Sequence, residues 1–293
     1  MSIFHSLLLG ILQGLTEFIP VSSSGHLVLA ENFLNLDVAD DKFFDVVLHL
    51  GTSLALIVYF WKDWWGIIKS MVDFLNPATK NAGKDFAEAR LGYYIVIGSI
   101  PAAIVGFTFN DYFDIYFRNV LSVSIFMIVI GTVFLLAEKV KPRGELSARK
   151  TFLIGIAQAV ALIPGISRSG ITISAGMLQG VSRAKAARFS FMLGLPAILG
   201  AGLLSFLKLE STPDWSLLSV GFLSSALVSF LAIRYMLAVL KNHTLHVFAY
   251  YLCGLGLLGI LLSFLENFGY FLSQFFQNLV CIFSRLVSAN KIS

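Results

Sequence analysis

The sequence predicts an all-α polytopic membrane protein, an inverted-topology repeat of two re-entrant helical hairpins plus about six transmembrane helices. Three observations predict it. Of 293 residues, 57% are hydrophobic and 13% charged, where a soluble domain carries roughly 25% charged residues; lipid must therefore solvate most of the surface. One broken apolar stretch recurs 145 positions later, about half the chain length. The basic residues gather on one side of the resulting topology.

Taken in chain order, residues 3–30 are apolar but interrupted by Pro20, Ser22, Ser23, Ser24 and Gly25, which predicts a hairpin that enters and leaves by the same face. Runs 45–61, 91–109 and 119–138 follow, each about long enough to cross a hydrocarbon core of roughly 30 Å. Residues 151–180 are the second broken stretch, interrupted at Pro164, Gly165 and the Ser167–Gly170 segment, and runs 188–207, 216–240 and 246–265 complete the second set. Non-helical backbone survives at membrane depth only where protein or a wet cavity surrounds it. The first repeat is expected over 1–140 and the second over 146–265. The extension 266–293, with Phe268, Tyr270, Phe271, Phe275, Phe276 and Phe283, reads as an interfacial helix first and a further crossing second.

The repeat aligns GILQGLTEFIPVSSSGHLVLA (10–30) over GIAQAVALIPGISRSGITISA (155–175) without a gap. Gly10/Gly155, Gln13/Gln158, Ser22/Ser167, Ser24/Ser169 and Gly25/Gly170 coincide, and polar and glycine matches are worth more than apolar ones in such a composition. Three crossings per half is an odd number, so the halves must be inverted. Charge agrees. With the first hairpin entering from outside, inner segments hold Lys62, Lys69, Lys80, Lys84, Arg90, Lys139, Lys141, Arg143, Arg149, Lys150, Arg183, Lys185, Arg188, Arg234 and Lys241. Outer segments hold Lys42, Arg118, Lys208, Arg285 and Lys291, and Arg168 lies in the second hairpin. Clusters of bases between apolar runs fit membrane orientation and argue against nucleic-acid binding. Arg183, Lys185 and Arg188 read as anchors of the following span. Cys253 and Cys281 show neither metal-ligand spacing nor a disulfide framework. The N-terminus lacks a basic n-region, so residue 1 onward is expected to be mature protein.

The chemistry sits in the two hairpins. Gln13 and Glu17 are four apart and share a helix face. A carboxylate at membrane depth costs at least about 2.5–3.5 kcal/mol and needs a cation, a metal or water; a snorkelling interfacial Glu is the simpler competitor. Pro20 ends that helix, and Ser22-Ser23-Ser24-Gly25-His26 supplies small residues, hydroxyls and a proton-exchanging ring, as an anion site needs. In the second hairpin, Arg168 offers a planar fork suited to phosphate oxygens, with Ser167, Ser169, Gly170 and Thr172 around it at a helix start. Arg168 could instead serve only to neutralise Glu17, which would still bring the hairpins together. Asp45 and His49, spaced i, i+4, read as lining an entrance at most.

The run Gln13-Gly14-Leu15-Thr16-Glu17, followed by Pro20 to His26, resembles the first signature of the BacA-type undecaprenyl-diphosphate phosphatases. Pro164 to Thr172 resembles the second, PGxSRSxxT, and the likeness covers about residues 1–265. It implies hydrolysis of undecaprenyl diphosphate to the monophosphate and phosphate with a divalent cation (Mg²⁺ or Ca²⁺), supply of lipid carrier for peptidoglycan synthesis, and bacitracin resistance. It further implies a multi-pass protein of the bacterial cytoplasmic (inner) membrane with its pocket open to the outer, periplasmic face. The implied catalytic residues are Glu17, Ser23, His26 and Arg168. The resemblance implies Ser167, Arg168 and Thr172 as phosphate contacts and Glu17 for the metal; the reading of the hairpins adds Ser22, Ser24, Gly25, Ser169 and Gly170 as expected substrate contacts and Gln13 beside Glu17 for the metal. The family carries Glu or Gln at the position of Gln13, and Gln lowers the local negative charge.

Expected partners are the lipid substrate and membrane lipids, with no nucleic acid; a homodimer is allowed. A serine hydroxyl or a metal-activated water remains open as the nucleophile. Two rival readings exist. Ser24-Gly25-His26 also resembles a motif of phosphatidate-phosphatase-type enzymes, but the His and Asp their third motif requires are replaced by Ser174 and Leu178. A polyprenyl-phosphate transporter or flippase is the other, since inverted repeats with broken helices are typical of transporters.

Overall fold

A computed structural model describes residues 1–34, 42–75, 86–208 and 213–265, and among these every regular element is a helix. The first broken stretch forms α1 (Ile3–Phe18) and α2 (Ser23–Phe33). At about 1.5 Å rise per residue, the 11-residue α2 reaches only about halfway through a bilayer. The second gives α7 (Ala148–Val160) and α8 (Arg168–Leu178), and α8 also has 11 residues. A serine opens each returning helix in the same way. Ser22 Oγ accepts from Gly25 N at 3.2 Å, and Ser167 Oγ accepts from Gly170 N at 3.1 Å.

The long helices are α3 (Lys42–Tyr59), α5 (Ala87–Phe117), α6 (Val120–Ala137), α9 (Arg183–Leu207), α10 (Trp215–Asn242) and α11 (His246–Leu265). Five of them pass as membrane spans by length and hydropathy, and α3 joins them if counted with its bent continuation. That continuation departs from the sequence expectation. Residues after 61 read as an inner connection, yet Trp61–Leu75 is a helix, α4, turned 72° from α3. Exposed Trp61 and Trp65 beside Lys62 and Lys69 are what a helix lying in the membrane interface presents. Ile67 is buried, and it and Met71 fill the space that a Cβ on Gly92 of α5 would need. Helix α5 also runs eight residues beyond the predicted end at 109. The extension 266–293 lies outside the described residues.

Small residues let the backbones approach. Helix α1 lies along α10, and a Cβ on Gly10 would overlap Ser224 Oγ and come 2.6 Å from Gly221 O. Helix α7 lies along α5, where a Cβ on Gly155 would overlap the Gly98 backbone. The first helix of each hairpin thus packs on the middle long helix of the other set. Ser225 Oγ donates to Leu48 O at 2.8 Å, joining α10 to α3, and α3 packs in turn on α9.

At the end where α6 finishes, the anchoring bases are ion-paired. Arg183 grips Glu138 with two nitrogens and donates to His243 O at 2.8 Å, while Leu245 N donates to Glu138 Oε1 at 2.7 Å. Glu138 so ties α6, α9 and the start of α11 together. Lys185 pairs with Glu145, and Arg188 with Asp63.

Candidate active site

Both hairpin turns meet. Ser24 Oγ accepts from Gly165 N at 3.3 Å, and Ser169 Oγ donates to Glu17 O at 3.1 Å, so the serine that repeats in each hairpin reaches across to the other. Gly25 and Gly170 let the two returning helices sit against α6, since a Cβ at Gly25 would lie 2.5 Å from Met127 Cε and one at Gly170 would lie 2.5 Å from Phe134 Cζ. Ser22 takes a left-handed conformation (φ 71°, ψ 88°), the one non-glycine to do so among the described residues. Strain of this kind concentrates at functional turns.

At the junction, Glu17 faces Arg168, with Oε1 2.5 Å from Nη2 and the side chains 5% and 14% exposed. The other carboxylate oxygen accepts from Ser23 Oγ at 2.7 Å and Gln13 Nε2 at 3.0 Å. Arg168 Nη1 donates to Ser190 O at 3.3 Å, and its guanidinium lies flat on Gly194, where any Cβ would overlap it. These contacts use two of the five N–H donors of an arginine, so donors remain for a ligand. Thr172 Oγ1 and Ser190 Oγ stand 2.6 Å apart, and Thr172 also donates to Arg168 O at 2.8 Å. Ser167 and Ser169 hydroxyls lie 3.4 Å apart, both buried.

His26 is placed elsewhere. Its Nδ1 is 2.8 Å from Ser22 O, so that nitrogen carries the hydrogen and the Tyr251 hydroxyl, 2.7 Å from Nε2, donates to it. The two rings stack with centroids 5.6 Å apart. Both nitrogens are thereby engaged, and neither meets Glu17 or Arg168; the ring braces the Ser22 turn.

His49, read from the sequence as lining an entrance at most, reaches the carboxylate of Glu17. Its Nδ1 is 2.7 Å from Asp45 O, one helical turn back, which fixes the ring and presents Nε2 at 3.6 Å from Glu17 Oε2. The i, i+4 spacing was visible in the sequence, but its direction was not. Ser190, Gly194 and Tyr251 carried no signal, being ordinary residues of apolar spans. Beside this, Arg118 bridges Glu31 (3.1 Å) and Asp45, tying the end of α2 to the start of α3.

The donors around Glu17 bear on whether a cation could be held here. Among the described residues no cluster of three His, Cys, Asp or Glu could cage a metal. Gln13 Oε1, however, is buried without a partner beside the Glu17 carboxylate and the Ser23 hydroxyl. This hard-oxygen set suits an ion held by one carboxylate, waters and substrate phosphates.

A family model described as "Bacitracin resistance protein BacA" matches residues 6–258, a range that contains both hairpin turns and every residue of this site. The chain belongs to the BacA family. Relatives named undecaprenyl-diphosphatase include one from Thermodesulfovibrio yellowstonii, 38% identical over 271 residues, covering 90% of this chain and 99% of the relative. Another, from Rubrobacter xylanophilus, is 40% identical over 264 residues, with 86% and 94% covered. A third, from Methanosphaera stadtmanae, is 36% identical over 276 residues, with 90% and 99% covered.

Proposed function

We propose that the Glu17–Arg168 junction is the reaction centre of an undecaprenyl-diphosphate phosphatase. The protein removes the terminal phosphate from undecaprenyl diphosphate, returns the monophosphate carrier to peptidoglycan synthesis, and thereby confers resistance to bacitracin. One observation carries the assignment of the site: an acid from one hairpin and a guanidinium from the other lie within one ligand's reach.

The isoprenoid tail lies between apolar helices while the diphosphate enters the polar junction. Free N–H groups of Arg168 bind the terminal phosphoryl oxygens and stabilise their charge as the anhydride breaks. The first backbone N–H groups of α2 and α8 that the serine caps leave without an intrahelical acceptor would donate to the same anion. Ser23 Oγ, already hydrogen-bonded to Glu17, is the nucleophile; the carboxylate takes its proton as the Oγ–P bond forms and undecaprenyl phosphate departs. Water then releases phosphate from the serine, with Glu17 assisting. Ser22 and Ser167 hold the two helix starts in place, and Ser190 and Gly194 hold the guanidinium. A divalent cation, Mg²⁺ or Ca²⁺, would be held by Glu17, Gln13 Oε1 and Ser23 and would neutralise charge on the diphosphate.

The protein is multi-pass. In the bacterial cytoplasmic membrane, the base-rich ends of α4, α6 and α9 take the inner side, and the site opens outward. A phosphate-release assay with the C55 diphosphate, titrated with each cation, tests the function. Release is expected. Movement of labelled lipid between leaflets without release would favour the transporter reading, which the relatives' named activity does not support.

A further inference from the structure

On the side of the protein away from Arg118, α6 ends at Ala137 and the chain crosses the end of α8. Arg143 N and Gly144 N donate to Gly180 O at 2.8 and 3.1 Å, and Gly180 has the positive φ (79°) this reversal requires. The lashed segments enclose an open cleft of about 570 Å³ whose polar lining is Lys139, Lys141, Arg143 and Gln179.

The charges here differ from their neighbours. Arg183, Lys185 and Arg188 on the same side each pair with a carboxylate. Among the described residues, no carboxylate stands within ion-pair distance of Lys139, Lys141 or Arg143. A simple topogenic role needs the charges on that side, but it does not need three of them gathered unneutralised around one preformed hollow. The apolar part of the lining is Val140 and Leu178, the latter 47% exposed.

We propose that this cleft binds the head group of an anionic phospholipid. Its phosphate oxygens take hydrogen bonds from Arg143 and the lysines, and the acyl chains leave over the exposed side of Leu178. A free phosphate would use the cations but leave the apolar wall without purpose. The site is separate from the Glu17–Arg168 junction and needs no catalysis.

The test uses the full chain in neutral detergent, comparing wild type with K139Q/K141Q/R143Q and, as a control for general charge loss, K62Q/K69Q on α4. Phosphatidylglycerol is expected to raise the wild-type melting temperature by a few degrees, and phosphatidylcholine is not. The triple variant should bind phosphatidylglycerol on the order of a hundredfold more weakly, at roughly one kcal/mol per lost charge. K62Q/K69Q should keep the response, and the triple variant should keep phosphate release in detergent free of anionic lipid. A lipid response retained by the triple variant, or equal for phosphatidylcholine, overturns the proposal. So does stabilisation by millimolar inorganic phosphate alone.

Discussion

Glu17 and Arg168 are 151 positions apart in the chain and lie 2.5 Å apart in the fold, each at the tip of a hairpin too short to cross the membrane. The pairing satisfies two charges that lipid would not tolerate singly. It also leaves a guanidinium with spare donors at the one point where both turns converge.

Arg168→Lys should lower kcat/KM by about a hundredfold or more, since an ammonium cannot hold Glu17, the Ser190 carbonyl and two phosphate oxygens at once. Steady-state kinetics with the C55 diphosphate decide it. Turnover close to wild type would remove Arg168 from the transition state.

Glu17→Gln should abolish turnover while the protein still folds in detergent, because the amide keeps the shape but cannot accept the Ser23 proton. Glu17→Ala is expected to be worse for the fold than Glu17→Gln, because it also removes the side-chain oxygens to which Arg168, Ser23 and Gln13 donate. Thermal melts read beside activity separate the two. An active Glu17→Gln with a lowered melting temperature would make the carboxylate structural.

Gly194→Ala should slow turnover at least tenfold by pushing the guanidinium off its seat. Gly200→Ala, on the same helix with nothing near its Cβ, should leave activity unchanged. Equal kinetics for the two variants would show that the seat does not matter.

Tyr251→Phe should cost about 0.5–1.5 kcal/mol of stability, the worth of one part-buried hydrogen bond, and change kcat less than threefold. A large fall in kcat with unchanged melting would place His26 among the catalytic residues.

Gly155→Leu should destabilise the fold more than a typical core substitution, by over about 3 kcal/mol, because its neighbour is the Gly98 backbone and cannot swing aside. Gly10→Leu should behave alike against Gly221. A mild effect at either, read from melting curves, would contradict the exchanged packing of the two halves.

Much of this protein was legible in its sequence because lipid imposes local rules. An apolar run of span length must be helical, a Pro-Ser-Gly break in one must be sheltered, and bases sort by side. The internal repeat and the two intramembrane charges identified the hairpins and the pair that joins them. Interfacial α4 escaped, since its turn at Phe60 is set by packing against α5 and not by any breaker residue.

What tertiary structure alone decided is which atoms face which. Of His26 and His49, His26 carried the stronger signal because it lies in the first motif itself. Yet the carbonyl of Ser22 and the hydroxyl of Tyr251, 225 positions away, hold His26, while one helical turn within α3 aims His49 at Glu17. Periodicity tells which residues share a face. Only the packing of that face against partners distant in the chain tells what it meets, and Ser190, Gly194 and Tyr251 entered the account solely through such partners.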